Sequence, residues 1–321
     1  VSPEVGAGDL LFIAHRVPYP PNKGDKIRSF HEICHLAERG WHVHLCALAD
    51  DPDDLAHAAA LKRYCRTVFL QPISPVVQKC RSLPAPLRGD PFSAPFFHSR
   101  VLQRRVDSIL DGYPIRAILC FSGPTAEYVF RSASRRLSSL GGESRRGITA
   151  RRGFPSTSGA ALRPRLVMDL IDVDSDKWSQ YARWTRGPMA WVYRIESRLL
   201  ARYERRVGER FDATLLVSPA EAEVFRNWTG LGDKVHAVGN GVDLEYFHPS
   251  CERSEVGAQP IASGANYPAR LVFCGAMDYF PNVDAVTWFV REVLPALRAK
   301  TGQVEFVIVG SKPTEAVRAL G

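Results

Sequence analysis

The alternation of short apolar runs with amphipathic stretches constrains this chain most. Apolar runs fall at Leu10–Ala14, His42–Leu48, Thr67–Leu70, Ala117–Phe121, Leu166–Leu170, Thr214–Ser218 and Val235–Val238. Each is too short for a core helix and is continuous rather than alternating, the pattern of strands buried on both faces. Between them lie helical patterns. Phe30, Ile33, Cys34 and Ala37 share one face, and Gly40 stops that helix. Leu102, Val106, Ile109 and Leu110 mark a second helix, and Ile195, Leu199, Tyr203 and Val207 recur every four residues in a third. Strands alternating with helices predict an α/β fold with a doubly wound parallel sheet.

The pattern stops after Phe247. Residues 248–269 carry no periodicity and read as a linker. A new strand begins at Arg270, a helix is expected over 283–299, and a strand follows at Val304–Gly310. The expected organisation is a first Rossmann-like domain over 1–247, the linker, and the start of a second over 270–321. The 52 residues of that last part are fewer than the roughly 100 of a doubly wound domain, so the second domain is expected to be incomplete. Within the first domain, 131–165 is rich in Arg, Ser and Gly and reads as a low-complexity, solvated insertion.

Composition enters where it excludes classes. The 45% apolar content of the 321 residues is that of a globular protein, and no apolar run approaches the roughly 20 residues of a membrane span. The N-terminus shows no signal-peptide pattern. None of Cys34, Cys46, Cys65, Cys80, Cys120, Cys251 and Cys274 forms a CxxC pair, which argues against zinc and for a reducing compartment. A formal charge of +8 favours an anionic partner. The arginine run lacks interleaved aromatics, so nucleic acid is not the expected one. The sequon at Asn227 is read as incidental.

The loop after the first strand, PYPPNKGDKIRSFH, is the leading candidate site. Ligands of open α/β sheets bind outside the carboxyl ends of strands. Prolines 18, 20 and 21 stiffen the loop, Gly24 permits close backbone approach, and the following helix offers its N-terminal amides. Asn22, Lys23, Gly24, Asp25, Lys26 and Arg28 supply polar and positive groups for a phosphate or a polar acceptor. A stiff surface turn with solvated cations is the competing reading. Neither GxGxxG nor GxxxxGK[ST] is present.

A second candidate is DLIDVDSDKW, where Asp172, Asp174 and Asp176 crowd the end of a strand. Sugar-hydroxyl recognition or stabilisation of an oxocarbenium-like transition state is one reading. Capping of the next helix by Asp174 or Ser175 is another, and a metal site a third. A third candidate is AVGNGVD, where Asn240–Gly241 makes a tight turn. In the last part of the chain, Gly275 and Gly310 end strands where amides could meet a diphosphate, with Asn282 and Lys312 nearby. Arg194–Phe211 reads as a helix lying on anionic lipid or, the stronger reading, packing on the sheet, and Ser82–Phe97 reads as a lid or a shallow membrane contact.

The stretches PYPPNKGDKIRSFH, DLIDVDSDKW, GNGVDLEYFHP and FCGAMDYFPNVDAVTWF occur in the same order as in glycosyltransferase family 4. The chain resembles most its bacterial exopolysaccharide sugar transferases associated with exosortase systems. The resemblance covers most of 9–318 apart from the insertion. It implies the GT-B fold, two Rossmann-like domains facing across a cleft, with the second domain cut short here. It implies a retaining hexosyltransferase that moves a sugar from a nucleotide-sugar co-substrate to an exopolysaccharide or lipid-linked precursor, with no cofactor and no protein-bound metal. The implied roles are acceptor binding by Asn22, Lys23, Gly24, Asp25 and Arg28, catalysis by Asp172 and Asp174, and donor binding by Asn240, Gly241, Gly275, Asn282, Gly310 and Lys312. Where the family places an Arg and a Lys to grip the diphosphate, this chain has Ala276, Met277, Asp278 and Tyr279, and the family's pair of glutamates has no counterpart up to Gly321. The implied location is the cytoplasm, with peripheral contact at the inner membrane face. Two alternatives stay open: a non-catalytic sugar- or nucleotide-binding relative, and a nucleotide-sugar epimerase.

Overall fold

The computed structural model describes residues 8–139, 163–245 and 269–321. The chain divides into two compact units, Val1–Asp243 and Leu244–Gly321.

The first unit follows the predicted alternation. β1 (Gly8–Ala14) leads to α1 (Gly24–Glu38), β2 (Trp41–Ala49), the short α2 (Ala58–Leu61) and β3 (Cys65–Pro72). Then come α3 (Pro75–Ser82), α4 (Ser93–Phe96), α5 (Arg100–Gly112), β4 (Ile115–Phe121) and α6 (Ala126–Ser139). β5 (Arg165–Ile171), α7 (Asp174–Trp184), α8 (Pro188–Arg210), β6 (Ala213–Leu216), α9 (Pro219–Thr229) and β7 (Val235–Ala237) complete it. The seven strands lie in the order β3-β2-β1-β4-β5-β6-β7, and each pair is parallel. The order reverses between β1 and β4, which opens a crevice at their carboxyl ends.

The two-residue period of the strands builds two cores. On β1, Leu11 and Ile13 join one with Ile118, Tyr128, Val207 and Phe225. Leu10, Phe12 and Ala14 join the other with Ile33, Leu45 and Leu61. Leu199, Leu200, Tyr203 and Val207 of α8 are buried, so the apolar stripe of Arg194–Phe211 packs inward rather than facing a membrane. Gly40 follows α1 at φ +83°, the left-handed stop its sequence position suggests.

The arginine-rich insertion is shorter than expected. Its residues 131–139 belong to α6 and Arg165 opens β5. The apolar spacing of Tyr128, Val129 and Ala133 carries the helix past Arg131. The remainder of that insertion, and nearly all of the proposed linker, lie outside the described residues.

In the second unit, β8 (Ala269–Cys274) pairs in parallel with β9 (Val304–Val309). Met277, Val286 and Val317 form its small core. The single helix expected over 283–299 is instead α10 (Phe280–Trp288), a wide π-helical turn (Phe289–Val293) and α11 (Leu294–Thr301). Pro295 explains the interruption, since it has no N–H for the preceding turn and fits only at the start of a new helix. The short α12 (Glu315–Arg318) closes the chain.

Tyr128 ties the irregular segment after α3 to the sheet. Its buried hydroxyl donates to the Phe97 carbonyl at 2.9 Å and accepts from the Ser99 N–H at 2.9 Å. Tyr128→Phe leaves that N–H unsatisfied and is expected to cost about 1–3 kcal/mol, read as a lower urea midpoint with an unchanged m-value.

Candidate functional site

The carboxyl edge of the seven-stranded sheet gathers the polar groups. β1 ends by delivering His15 and Arg16, and α1 returns Asp25 to meet them. Arg16 Nη1 donates to Asp25 Oδ2 at 3.0 Å and its Nε to Asp50 Oδ2 at 3.1 Å. His15 Nε2 lies 3.5 Å from Asp25 Oδ2. Burial works against the Asp25 carboxylate, but the hydrogen bonds and charges of His15 and Arg16 win and hold it well below the usual carboxylate range. The His15 ring stacks on Phe121 at 6.0 Å and meets the edge of Phe97 at 5.4 Å. Its Nδ1 is buried and has no hydrogen-bond partner among the described residues.

Of the candidate acceptor-binding residues, Asn22, Lys23 and Gly24 are exposed. A Cβ built on Gly24 meets no atom within 4 Å, so the protein's own packing does not demand glycine there. The cations expected to greet an anion behave differently. Lys26 turns inward, and its Nζ donates to both Asp54 oxygens at 2.7 and 3.0 Å. Arg28 also turns inward. Its Nε donates to Asp169 Oδ2 at 2.7 Å, and its Nη1 donates to the Val238 carbonyl at 2.8 Å and to Asn240 Oδ1 at 3.1 Å. Its buried Nη2 keeps no partner among the described residues. Both cations sit on the inner face of α1, where an isolated charge cannot be solvated and must find a carboxylate. Glu32, one turn along, is pushed up, first by desolvation and then by its hydrogen bond to Asp169 and that carboxylate's charge, with Arg28 opposing.

The ends of β4 and β5 are strained. Ser122 has φ +75° and Ile171 φ +70°, a region a β-branched residue seldom enters. Hydrogen bonds hold both: Ser122 N–H donates to the Asp169 carbonyl, and Val217 N–H to the Ile171 carbonyl, each at 2.7 Å. Such strain collects at functional sites. The kink at Ile171 turns the chain so that Asp172 is exposed and Asp174 opens α7.

Asp174 and Ser175 do not cap that helix. Its cap residue is Val173, which makes no side-chain bond. The orphan amides are met from elsewhere: Val173 N–H by Glu221 of α9 at 2.8 Å, and Ser175 N–H by Glu204 of α8 at 3.1 Å. Ser175 Oγ also donates to Glu204 at 2.5 Å. Remote glutamates therefore take over the capping, and the Asp172 and Asp174 side chains are released from it. Asp174 keeps 37% of its side-chain surface open, yet desolvation by the crevice walls raises it above the usual range. The charges of Asp172 and Glu221 add to the rise, and Lys177 and His15 oppose it. The charge of His15 acts on an acid of each candidate loop, Asp25 and Asp174. Among the described residues, no group of three or more His, Cys, Asp or Glu side chains is placed to hold a metal.

The candidate donor-binding residues fall in both units. Asn240 uses its side-chain oxygen to hold Arg28, and Gly241 is exposed. In the second unit the amides expected to meet a diphosphate are occupied. Gly275 N–H donates to the Val309 carbonyl at 3.0 Å and Met277 N–H to that of Ser311 at 2.9 Å. Asn282 Nδ2 donates to the Ala276 carbonyl at 3.0 Å. A Cβ on Gly310 would strike the Gly275 carbonyl oxygen, so close strand-end packing accounts for that glycine. Lys312 is exposed at φ +54°.

Sequence reasoning missed His15, Asp169, Glu204 and Glu221. Two of these carried a signal. His15 directly follows an apolar strand at its carboxyl end, and Asp169 is a lone acid inside the apolar run RLVMDLI. The two glutamates carried none, because their roles depend on tertiary contacts.

No family model matches the sequence, and no curated protein matches it. Among solved structures, the chain is similar to sucrose-phosphate synthase from Thermosynechococcus elongatus, at TM-score 0.58 and 16% identity. That match covers 98% of this chain and 65% of that one. It is also similar to OtsA in its apo form, at TM-score 0.50 and 8% identity, over 97% of this chain and 67% of that one. The chain thus spans about two thirds of the length of these structures. At these identities the likeness is one of fold, and the fold is the GT-B type expected from the sequence.

Two outcomes follow from the buried acids. Asp169→Ala takes away one of two carboxylates beside the buried Arg28 guanidinium, whose Nε also lies 3.3 Å from Glu32 Oε1, and is expected to cost about 1–3 kcal/mol, measured by urea unfolding. Glu204 is pushed from 4.5 to about 8, by desolvation first and the nearby Asp174 charge next, against its hydrogen bonds from Ser175. A raised folded value contributes stability that is full below pH 4.5 and is lost as pH climbs through about 8. Glu204→Gln keeps the hydrogen-bonding shape without the titration. Across that window its stability is expected to gain on the parent by on the order of 3 kcal/mol, read from urea midpoints at a series of pH values.

Proposed function

We propose that this chain carries the acceptor-binding domain and the first part of the donor domain of a retaining hexosyltransferase. Its substrates on this reading are a nucleotide sugar and an exopolysaccharide or lipid-linked precursor. The observation that carries the reading is the strained end of β5 near the strand-order reversal, where the Asp172 and Asp174 side chains stand free of capping α7. The GT-B fold shared with sucrose-phosphate synthase and OtsA, both glycosyltransferases, supports the same class, and the subgroup rests on the sequence resemblance.

The chemistry assigned to each group follows from its state. The exposed Asn22, Lys23 and Gly24 receive the acceptor hydroxyl, and Asp25 fixes the neighbouring His15 ring through Nε2. Holding that hydroxyl in line with the reacting carbon removes much of the entropic barrier. Asp172, exposed and anionic, supports positive charge developing on the transferred sugar. Asp174, with its raised affinity for a proton, donates to or accepts from a sugar hydroxyl without requiring a counter-ion. Retention of the donor's anomeric configuration comes from the resemblance and is read from the product's NMR couplings.

A second reading, a sugar- or nucleotide-binding relative without catalysis, is favoured by the engaged amides of Gly275 and Met277 and by the absence of a cation among residues 276–279. Calorimetry with nucleoside diphosphates tests for the donor site of a transferase, and label transfer to an acceptor separates it from a nucleotide-binding relative. Heat of binding at low-micromolar affinity fits a transferase, and no binding to any common nucleoside diphosphate rules it out.

The protein, expressed in its native reading frame, should move label from a nucleotide sugar to lipid extract or polysaccharide primer. His15→Ala and Asp174→Asn should each lower kcat/KM by about 10²-fold or more, with unfolding midpoints near the parent's. Full activity in both variants overturns the assignment. Release of an isomerised nucleotide sugar without acceptor would point to an epimerase instead.

A further inference from the structure

We infer that the turn joining α7 to α8 is a membrane-contacting tip that binds an anionic lipid surface. The local sequence is ARWTRGPMAWVYR, from Ala182 to Arg194. Over the longer stretch 177–195 there is no Asp or Glu, and there are four cations. In a protein this basic, an acid-free run would by itself be an ordinary solvated face. The apolar residues are what set it apart.

Trp184 is 77% exposed, Trp191 65% and Met189 47%. Trp184 ends α7, and Met189 and Trp191 lie in the first turn of α8, in a stretch that also exposes Arg183, Arg186 and Arg194. Leaving two indoles in water is unfavourable, at roughly 25 cal/mol per Å² of apolar surface. Tryptophan beside arginine is the composition of the membrane–water interface, where the ring sits at headgroup depth and the guanidinium meets phosphate.

The tip is also presented rigidly and at a defined edge. Below it, Trp178 packs on Tyr193 at 5.2 Å and on Tyr181 at 5.7 Å, bracing the two helices. Gly187, at φ +80° and ψ −160°, makes the reversal in a conformation open essentially to glycine alone. Ser197 Oγ donates to the Ser175 carbonyl at 2.8 Å, which fixes the level of the sheet's carboxyl edge along α8. From Ser197 back to Pro188 the helix runs a further 13 Å or so, at about 1.5 Å per residue. The tryptophans therefore project on the side of the sheet where the crevice opens. This differs from the membrane contacts weighed from sequence, since the stripe of Arg194–Phe211 is buried.

Charge complementarity selects the occupant. A lipid surface bearing phosphate headgroups matches the exposed arginines and accepts indoles at any rotation, whereas an acidic protein groove or a second copy of this chain would need a matched pocket. The inference stands whether or not the chain transfers sugar, because vesicle binding requires neither donor nor acceptor.

The test is co-sedimentation of the full chain with vesicles of phosphatidylcholine alone and with about one third phosphatidylglycerol, alongside tryptophan emission. Binding to the anionic vesicles, weakened by salt and accompanied by a blue shift, is expected. Trp184→Ala/Trp191→Ala should lower partitioning at least tenfold. Arg183→Gln/Arg186→Gln, which keeps every indole, should lower binding to the anionic vesicles severalfold. Circular dichroism melts near the parent's show that either variant is folded. No binding to anionic vesicles, or equal binding by the tryptophan variant, overturns the proposal. A dimer in sedimentation velocity that the tryptophan variant abolishes overturns it in favour of a second copy. Nucleoside-diphosphate calorimetry on the same variants, expected unchanged, keeps this result separate from the fate of the transferase reading.

Discussion

The buried contact of Arg28 with Asp169 organises the edge of the sheet on which everything else stands. Its two side chains are 5% and 0% exposed. A buried ion pair of this kind contributes little net stability relative to a well-packed apolar pair, because both charges leave water. What it contributes is uniqueness. One guanidinium binds the start of α1 to the end of β5 and to the chain just after β7, three segments distant in sequence. Any slip of α1 along the sheet would strand a cation in an apolar interior. The positions of Asp25 and the 172–174 loop follow from that lock, since each lies within a few residues of one of its ends, and Asp25 in turn meets His15.

Two carboxylates at the same level show how neighbours decide roles. Asp25 is clasped by His15 and Arg16 and is held firmly anionic. Asp174 lies in the same crevice among acids and is pushed the other way. Pairs of titratable groups with divergent environments are how one fold sets out proton donors and acceptors near neutral pH. The divergence depends on Glu204 and Glu221, which cap α7 from other helices. Had Asp174 capped its own helix, its carboxylate would be committed to backbone amides and drawn down rather than up.

The strands were legible because their signal is local: seven apolar runs bounded by polar loops leave a parallel sheet as the economical arrangement. The crevice was legible in location, because the carboxyl ends of strands can be named once the strands are known. The direction in which a side chain points was not. Lys26 and Arg28 read as solvent-facing cations, and only the burial of the inner face of α1 shows that both are neutralised by Asp54 and Asp169. Likewise, the Gly275 amide reads as free at a glycine-containing strand end, and its partner, the Val309 carbonyl, comes from a strand some thirty residues on. The interruption of the helix after Trp288 was readable in hindsight from Pro295. The capping of α7 by glutamates of α8 and α9 was not readable at all.

The long helix α8 then connects the two halves of the functional argument. Its buried second half, from Leu199 to Val207, is core, and Glu204 on that half satisfies α7 at the crevice. Its first half carries Trp191 and leads to the exposed turn. A helix fixed at one end by packing and in the middle by Ser197 and Glu204 behaves as a rigid strut, so its free end cannot sample the crevice or fold back over it. The apolar residues at that end have therefore no route to burial within the described part of their own unit. A surface that meets them from outside is the remaining way to remove them from water, and it would approach from the side of the sheet's carboxyl edge.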